Sequence, residues 1–279
     1  MIKIVTAAQI QALDRRTITE ARIPGTTLME RAGAGVVSCL GQTFGSVRGK
    51  TVTVLCGKGN NGGDGFVVAR LLHRLRARVR VLTMGPVSEL SRDAAIMYRR
   101  FVQRAGKSAV RPYTSKNQVQ SLLRDSDLLV DALLGTGLSA EVAGRYGETI
   151  DSINESGRPV VAIDLPSGLH ADTGAVLGRA VRAALTVTLG LPKIGLYQNQ
   201  GTDLAGLVSL VDLGMPRPYI DAVPSHTTLI TRSFVHGILP ARPQSSHKGT
   251  FGHAGIIAAS VGKTGAAAMV AKAALRIGA

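Results

Sequence analysis

The sequence predicts a doubly wound α/β domain, a Rossmann-like parallel sheet with helices on both faces. Three observations predict it. Short apolar runs recur at 51–56, 78–83, 127–131, 159–164, 184–189 and 207–212. Helical stretches near 64–76, 91–105, 116–124 and 145–156 lie between several of them. Strands that are apolar along their whole length belong to a sheet covered on both faces, and alternation with helices makes that sheet parallel. Finally, the first run, TVTVLC, breaks into GKGNNGGDG, a glycine-rich turn between a strand and a helix that begins near Asp64.

The elements follow in order. Residues 7–21 (AAQIQALDRRTITEA) and 26–41 (TTLMERAGAGVVSCLG) carry helical periodicity, with Ile23-Pro24-Gly25 as the turn between them. The strand–helix alternation then runs to about residue 212. From about 214 the texture changes to several prolines without a clear period, which reads as a linker or an irregular arm. HKGTFGHAGIIAAS then reads as a strand with a glycine-rich exit, and KTGAAAMVAKAALRIGA as a helix. A single strand–helix unit cannot bury its own apolar face, so 244–279 reads as the opening of a second, incomplete domain. Gly262-Lys263-Thr264 resembles the end of a phosphate-binding P-loop, but Ile257 stands where the first glycine of that motif belongs.

Composition narrows the function classes. The 279 residues are 45% hydrophobic and only 4% aromatic, so a large aliphatic core is available and stacking platforms for single-stranded nucleic acid are scarce. Net charge is +15, densest in RLLHRLRARVR (70–80) and YRRFVQR (98–104). These arginines alternate with Leu and Val as an amphipathic helix running into a strand does. That favours a solvated face that attracts anionic ligands over a nucleic-acid patch. No apolar run is long enough for a membrane span, which needs ~18 residues. MIKIVTAAQI lacks the apolar core and cleavage site of a signal peptide. Cys39 and Cys56 sit in apolar patterns and read as buried residues in a reducing cytoplasm.

In a doubly wound sheet, ligands bind beyond the carboxyl ends of the strands. Gly57-Lys58-Gly59-Asn60-Asn61-Gly62 fits the dinucleotide fingerprint, although an ordinary tight turn gives the same pattern. Later strands are followed by Asp131-Ala132-Leu133-Leu134-Gly135-Thr136-Gly137-Leu138, by Asp164-Leu165-Pro166-Ser167-Gly168, and by GLPKIGLYQ with Lys193 as its strong cation. Taken singly, Asp64 reads as a helix cap, Asp131 as a loop-start residue and Pro166-Ser167-Gly168 as a turn. Taken together, Asn60, Asn61, Asp64, Asp131, Asp164 and Ser167 form an oxygen-rich set without His or Cys, which suits a hard cation. Gly135-Thr136-Gly137 adds small residues whose amides can meet a phosphate. An NAD dehydrogenase wants an acid at the end of the next strand to hold the ribose, and that strand ends Thr83-Met84-Gly85. Hydride transfer is disfavoured.

Read together, GKGNNGGDGF, DALLGTGL, IDLPSG, TLGLPKIGL, LMERAG at 28–33 and VDLGMP at 211–216 resemble the N-terminal YjeF-type domain of the NAD(P)H-hydrate epimerases, in that family's order and over roughly residues 5–216. The resemblance implies an isomerase of nicotinamide nucleotide repair, which interconverts the R and S hydrates of NADH and NADPH (NADHX and NADPHX) so that a dehydratase can restore both. It implies that Asn60, Asn61, Gly62, Gly63 and Asp64 cradle the hydrate and that Gly135, Thr136, Gly137 and Leu138 meet its phosphates. Asp164 would contact the reacting ring and act catalytically. A potassium ion would be held by Asn61, Asp131 and Ser167. A cytoplasmic homodimer is expected, without nucleic-acid or membrane partners.

The tail resembles the start of the ADP-dependent hydrate dehydratase domain, a ribokinase-like fold. The expected layout is an epimerase domain over 1–215, a linker over 216–243 and the first strand–helix unit of the dehydratase over 244–279, inactive because its nucleotide-binding portion is missing. The rival reading is a non-catalytic scaffold of the same fold, against which Asn61, Asp131, Asp164 and Ser167 together argue.

Overall fold

The computed structural model of the chain describes residues 2–239, 241–247 and 249–278. One compact unit extends to Leu229 and a second begins at Ile230. The first unit opens with β1 (Ile2–Lys3), α1 (Ala7–Thr19) and α2 (Gly25–Phe44). Then come β2 (Thr51–Cys56), α3 (Asn60–Arg74), β3 (Arg78–Thr83), α4 (Arg92–Ala105), β4 (Val110–Pro112) and α5 (Lys116–Arg124). β5 (Leu128–Ala132), α6 (Gly144–Glu155), β6 (Val160–Ile163) and β7 (Leu185–Leu189) follow. The unit closes with α7 (Gly201–Leu204), β8 (Leu207–Val211), α8 (Arg217–Asp221) and β9 (Thr228–Leu229).

Seven strands form one sheet in the order β4-β3-β2-β5-β6-β7-β8, and every neighbouring pair is parallel. The six apolar runs are all strands of it. β4 was not legible in the sequence: it is three residues long, half-exposed and ends in a proline, which suits only an edge. Alternate residues of each central strand feed opposite cores. Val52, Val54, Val130 and Ala132 face α1–α4, while Leu55 and Leu129 face α5 and α6. Cover on both faces is why every residue of β2 and β5 is buried, including Thr51 and Thr53 of β2 and Asp131 of β5.

Helix starts follow local chemistry. Thr6 and Gln9 form a reciprocal capping box at α1, with Gln9 N donating to Thr6 Oγ1 at 3.2 Å and Thr6 N donating to Gln9 Oε1 at 2.9 Å. At α4 and α5 the caps are one-way, with Ser91 Oγ accepting from Ala94 N and Ser115 Oγ from Gln118 N. Several arginines of the basic run are held in ion pairs: Arg70 and Arg100 with Glu30, and Arg80 with Asp125.

The stretch expected to begin a linker at 216 is folded as far as Leu229. β9 pairs antiparallel with β1, Val223 is buried, and Lys3 Nζ donates to Asp221 O at 2.6 Å and Val223 O at 2.8 Å. Proline-rich sequence hid this segment, because its order comes from contacts with the far N-terminus rather than from its own pattern.

The second unit holds α9 (Arg232–Ile238) and α10 (Gly265–Ile277). α10 is the helix expected at the end of the chain, and Gly278 ends it with φ of 106°. The strand expected within 244–260 is absent among the described residues, where Ile257 is fully exposed. A strand needs a neighbour for its backbone groups, and no strand of this unit supplies one. Among the described residues no helix is long and apolar enough to cross a membrane.

Candidate active site

Strand order reverses between β2 and β5, so the loops after these strands diverge and leave a crevice beyond their carboxyl ends. Gly57 N donates to Ala132 O at 2.9 Å and ties the two loop starts together. The crevice opens into a cleft of about 720 Å³. Its walls come from α1, the start of α2, the start of α3, the loop after β5, and the residues Asp164, Leu189 and Lys193.

α3 begins at Asn60 rather than near Asp64, because Gly63 N already bonds Gly59 O at 3.2 Å. No side chain caps this helix, and Gly59, Asn60 and Asn61 line the cleft. An uncapped N-terminus with its partial positive charge suits an anion such as phosphate. Gly62 and Gly63 do not reach the cleft. A Cβ on Gly62 would lie 2.0 Å from Gly57 O, and one on Gly63 would lie 2.9 Å from Met29 Sδ. Both glycines let the helix start pack against the loop and α2. Gly135, Thr136, Gly137 and Leu138 line the opposite rim.

Asp131, Ser167 and Asn61 form one network through Leu134. Ser167 Oγ donates to Asp131 Oδ1 at 2.6 Å, Ser167 N donates to Asp131 Oδ2 at 2.8 Å, and Leu134 N donates to Ser167 Oγ at 2.9 Å. Asn61 Nδ2 donates to Leu134 O at 3.0 Å. Asp131 and Ser167 are buried and do not line the cleft. Burial raises the Asp131 carboxyl to about 6, against the lowering effect of its bonds from Ser167 and Leu133. Asn61 Oδ1 is buried without a hydrogen-bond partner. Asn61 Nδ2 and Ser167 Oγ share the Leu134 carbonyl. An orphaned amide oxygen, a hydroxyl, a carboxylate and a backbone carbonyl are oxygen donors of the kind a hard cation takes. Among the described residues no three His, Cys, Asp or Glu side chains gather as a metal centre, and in this network Asp131 is the one carboxylate beside amide, hydroxyl and backbone oxygens.

Asp164 stands one residue past β6 with φ of 70°, a left-handed conformation that costs a non-glycine residue about 1–3 kcal/mol. The turn is tight: Asp164 N bonds Val187 O at 2.8 Å and Leu165 N bonds Ile163 O at 2.9 Å. This sends the carboxylate towards β7, where Oδ1 accepts from Leu189 N at 3.2 Å and from Lys193 Nζ. Gly168, in the same loop, has φ of 96° and a missing Cβ that would strike Arg179 O at 1.8 Å. Any larger residue would displace the turn that carries Asp164 and Ser167.

Lys193 is 1% exposed. Its three ammonium protons are met by Asp164, Leu189 O at 2.8 Å and Thr188 Oγ1 at 3.3 Å. The N-terminus holds its backbone, with Val5 N bonding Pro192 O at 2.9 Å and Ile194 N bonding Val5 O at 3.0 Å.

Two further carboxyls, Asp64 and Asp14, line the same cleft and feel the charges of this ion pair. Asp64 is 8% exposed, and burial followed by the charges of Asp164 and Asp14 holds it well above the usual carboxylate range. Asp14 is pushed up to about 6 by burial, an effect that Lys193 opposes and Asp164 reinforces.

Of the residues singled out from sequence, Asn60, Asn61, Asp64, the 135–138 loop and Asp164 meet at the cleft. Gly62 and Gly63 lie behind it, and Asp131 and Ser167 lie beneath. Asp14 was missed, and Lys193 was noted only as a cation. The signal for Asp14 was present: Ile10, Leu13, Asp14 and Thr17 share the inward face of α1, so an acid stands where the period calls for a core residue.

The fold and this cleft define a doubly wound α/β protein with an open cleft at its switch point. The family described as YjeF-related protein N-terminus matches residues 25–195, and the chain belongs to it. The NAD(P)H-hydrate epimerase of Limosilactobacillus fermentum is 40% identical over 75% of this chain and 95% of its own length. The bifunctional NAD(P)H-hydrate repair enzyme Nnr of Moorella thermoacetica is 38% identical over 99% of this chain and 52% of its own length. The chain thus spans about half of such bifunctional relatives. The crystal structure of the yeast protein ynu0 (YNL200c) matches the fold with a TM-score of 0.67 at 21% identity, over 83% of this chain and 98% of that one.

Proposed function

We propose that the first unit is an NAD(P)H-hydrate epimerase, acting on the R and S hydrates of both NADH and NADPH. The observation that carries this reading is the match to a stand-alone epimerase over 95% of that enzyme's length, combined with a cleft that holds an uncapped helix start and an ion-paired carboxylate. Inverting a carbon that bears a hydroxyl beside a ring nitrogen moves protons and needs no redox partner. Asp164, strained into the cleft and held by Lys193, is the proton-transfer group. The start of α3 and the 135–138 loop receive the pyrophosphate through backbone amides.

The orphaned Asn61 Oδ1 fits a potassium ion, which Asp131, Ser167 and Asn61 would hold. Bound there, the ion supplies positive charge near the phosphates and fixes the 135–138 loop against α3. A cytoplasmic homodimer belongs to the same reading, as does a second unit that opens a dehydratase domain. The length of the bifunctional relatives supports this last part.

The test is the interconversion of R and S NADHX and NADPHX, followed by chiral separation in potassium buffer, for the wild type and Asp164→Asn. Rapid interconversion that the variant loses supports the reading. Folded wild-type protein that leaves the two epimers unmixed overturns it.

A further inference from the structure

Asp14 lies far from every glycine-rich motif, on a helix that precedes the sheet, yet it lines the same cleft as Asp164 and Lys193. Among the described residues its carboxyl makes no hydrogen bond or ion pair with the protein, although the residue is more buried than its exposed neighbours Arg15 and Arg16. A half-buried acid without a partner is costly in a helix whose inward face is otherwise Ile10, Leu13 and Thr17. Packing does not explain it, because the side chain is open to the cleft. Its charged surroundings are Lys193 and Asp164 from the sheet side, Asp64 from α3 and Arg15 from its own helix.

We infer that Asp14 is a second catalytic carboxyl, which works against Asp164 as one member of an acid–base pair acting on the epimerised carbon. The inference rests on the epimerase reading and deepens it. An epimerase serves both faces of one carbon, and two carboxyls carried by different elements allow each face its own proton-transfer group. Asp14 comes from α1 and Asp164 from the turn after β6, so two elements present the two groups to one cleft.

The step balances with what the cleft and solvent hold. The Asp14 carboxyl gives its proton to the ring hydroxyl. The carbon–oxygen bond breaks with its electron pair on oxygen, water leaves, and the ring-nitrogen lone pair closes a carbon–nitrogen double bond. Water then adds from the other face, the double-bond pair returns to nitrogen, and the proton shed by that water goes to Asp164. The reverse epimerisation starts from protonated Asp164 and ends on protonated Asp14. Once Asp14 has given up its proton, its carboxylate and that of Asp164 favour the transient cationic ring. Burial holds Asp14 to about 6, a value suited to an acid that must both give and regain a proton near neutrality.

Asp14→Asn keeps the size and polarity of the side chain and removes its proton. The measurement is R-to-S and S-to-R interconversion across pH 5–9 for the full chain, the wild type, Asp14→Asn and Asp14→Glu, run in ¹⁸O-water and with thermal melts to confirm folding. The expected result is a loss of at least a hundredfold in kcat for Asp14→Asn with KM within threefold. Wild-type kcat/KM falls as pH rises above about 6, the variant lacks that limb, and Asp14→Glu restores part of the rate. Each wild-type inversion takes up one ¹⁸O. A variant within threefold of wild type with an unchanged pH profile overturns the role of Asp14 alone. Inversion without ¹⁸O overturns the step. Failure of the wild type to interconvert the epimers overturns the epimerase reading, and this inference with it.

Discussion

Lys193 and Asp164 form an ion pair in the floor of the cleft, with the lysine 1% exposed and bonded also to Leu189 O at 2.8 Å. The lysine satisfies Asp164 without covering it, so the carboxylate keeps one oxygen for the cleft. Breaking a buried pair from one side leaves a charge unmatched, which costs about 3–5 kcal/mol. Lys193→Met is therefore expected to lower unfolding stability towards that range and to abolish turnover. Asp164→Asn alone strands the ammonium in the same manner. In urea denaturation, the double substitution is expected to cost clearly less than the sum of the two single ones. Additive losses would show that the two groups do not depend on one another.

Asp14 makes a pH-dependent prediction that does not require turnover. Its carboxyl binds its proton more tightly in the folded chain, at about 6 against an ordinary 3.8. The stability it contributes is fully present below the unfolded value and is lost as pH rises through about 6. At pH 7.5 the folded wild type carries a burden of up to about 3 kcal/mol that Asp14→Asn lacks. The variant is expected to be the more stable protein at pH 7.5, with the difference closing towards pH 4. Urea midpoints at the two pH values check this, and equal differences at both would place the Asp14 carboxyl in ordinary solvent.

What the sequence made legible follows from where the information lies. β2, β5, β6 and β7 could be read because burial on both faces selects short runs rich in Val, Leu, Ile and β-branched Thr with few charges. The glycine loop could be read because close backbone approach admits no other residue at Gly57 or Gly62. β1 and β9 could not, since a two-residue strand carries no period and its partner lies at the other end of the unit. The structure links Asn61, Asp131 and Ser167 through Leu134, in a layering that the sequence does not carry. Nothing in the spacing tells that Asp131 and Ser167 lie under the cleft while Asp64 lies in its wall. Lys193 followed a strand end as a ligand residue does, and only the fold showed it spent on Asp164.

The glycines of the α3 start separate packing from binding. A methyl group at Gly62 would overlap Gly57 O at 2.0 Å, a backbone atom that cannot step aside. Gly62→Ala is expected to destabilise the chain by about 1–3 kcal/mol, as overpacking does. Gly137 has open space at its Cβ position and lies on the cleft rim. Gly137→Ala is expected to change stability by less than about 0.5 kcal/mol, as other surface substitutions do. Chemical denaturation of the two variants checks the contrast, and a stable Gly62→Ala protein would mean that the α3 start can shift away from the loop.

The orphaned Asn61 Oδ1 yields the last prediction. A buried carbonyl oxygen without a partner costs about 1–3 kcal/mol, and a ligand that binds only the folded state recovers stability in proportion to its concentration over Kd. Potassium chloride is expected to raise the wild-type melting temperature above that in tetramethylammonium chloride of equal ionic strength. Asn61→Ala removes the oxygen while leaving Asp131 bonded to Ser167 Oγ at 2.6 Å, and its melting temperature is expected to be the same in both salts. Ser167→Ala is expected to lose both the potassium response and the Asp131 contact, lowering stability in either salt by about 1–3 kcal/mol. Equal wild-type melts in the two salts would leave Asn61 Oδ1 to a different partner, such as the substrate itself.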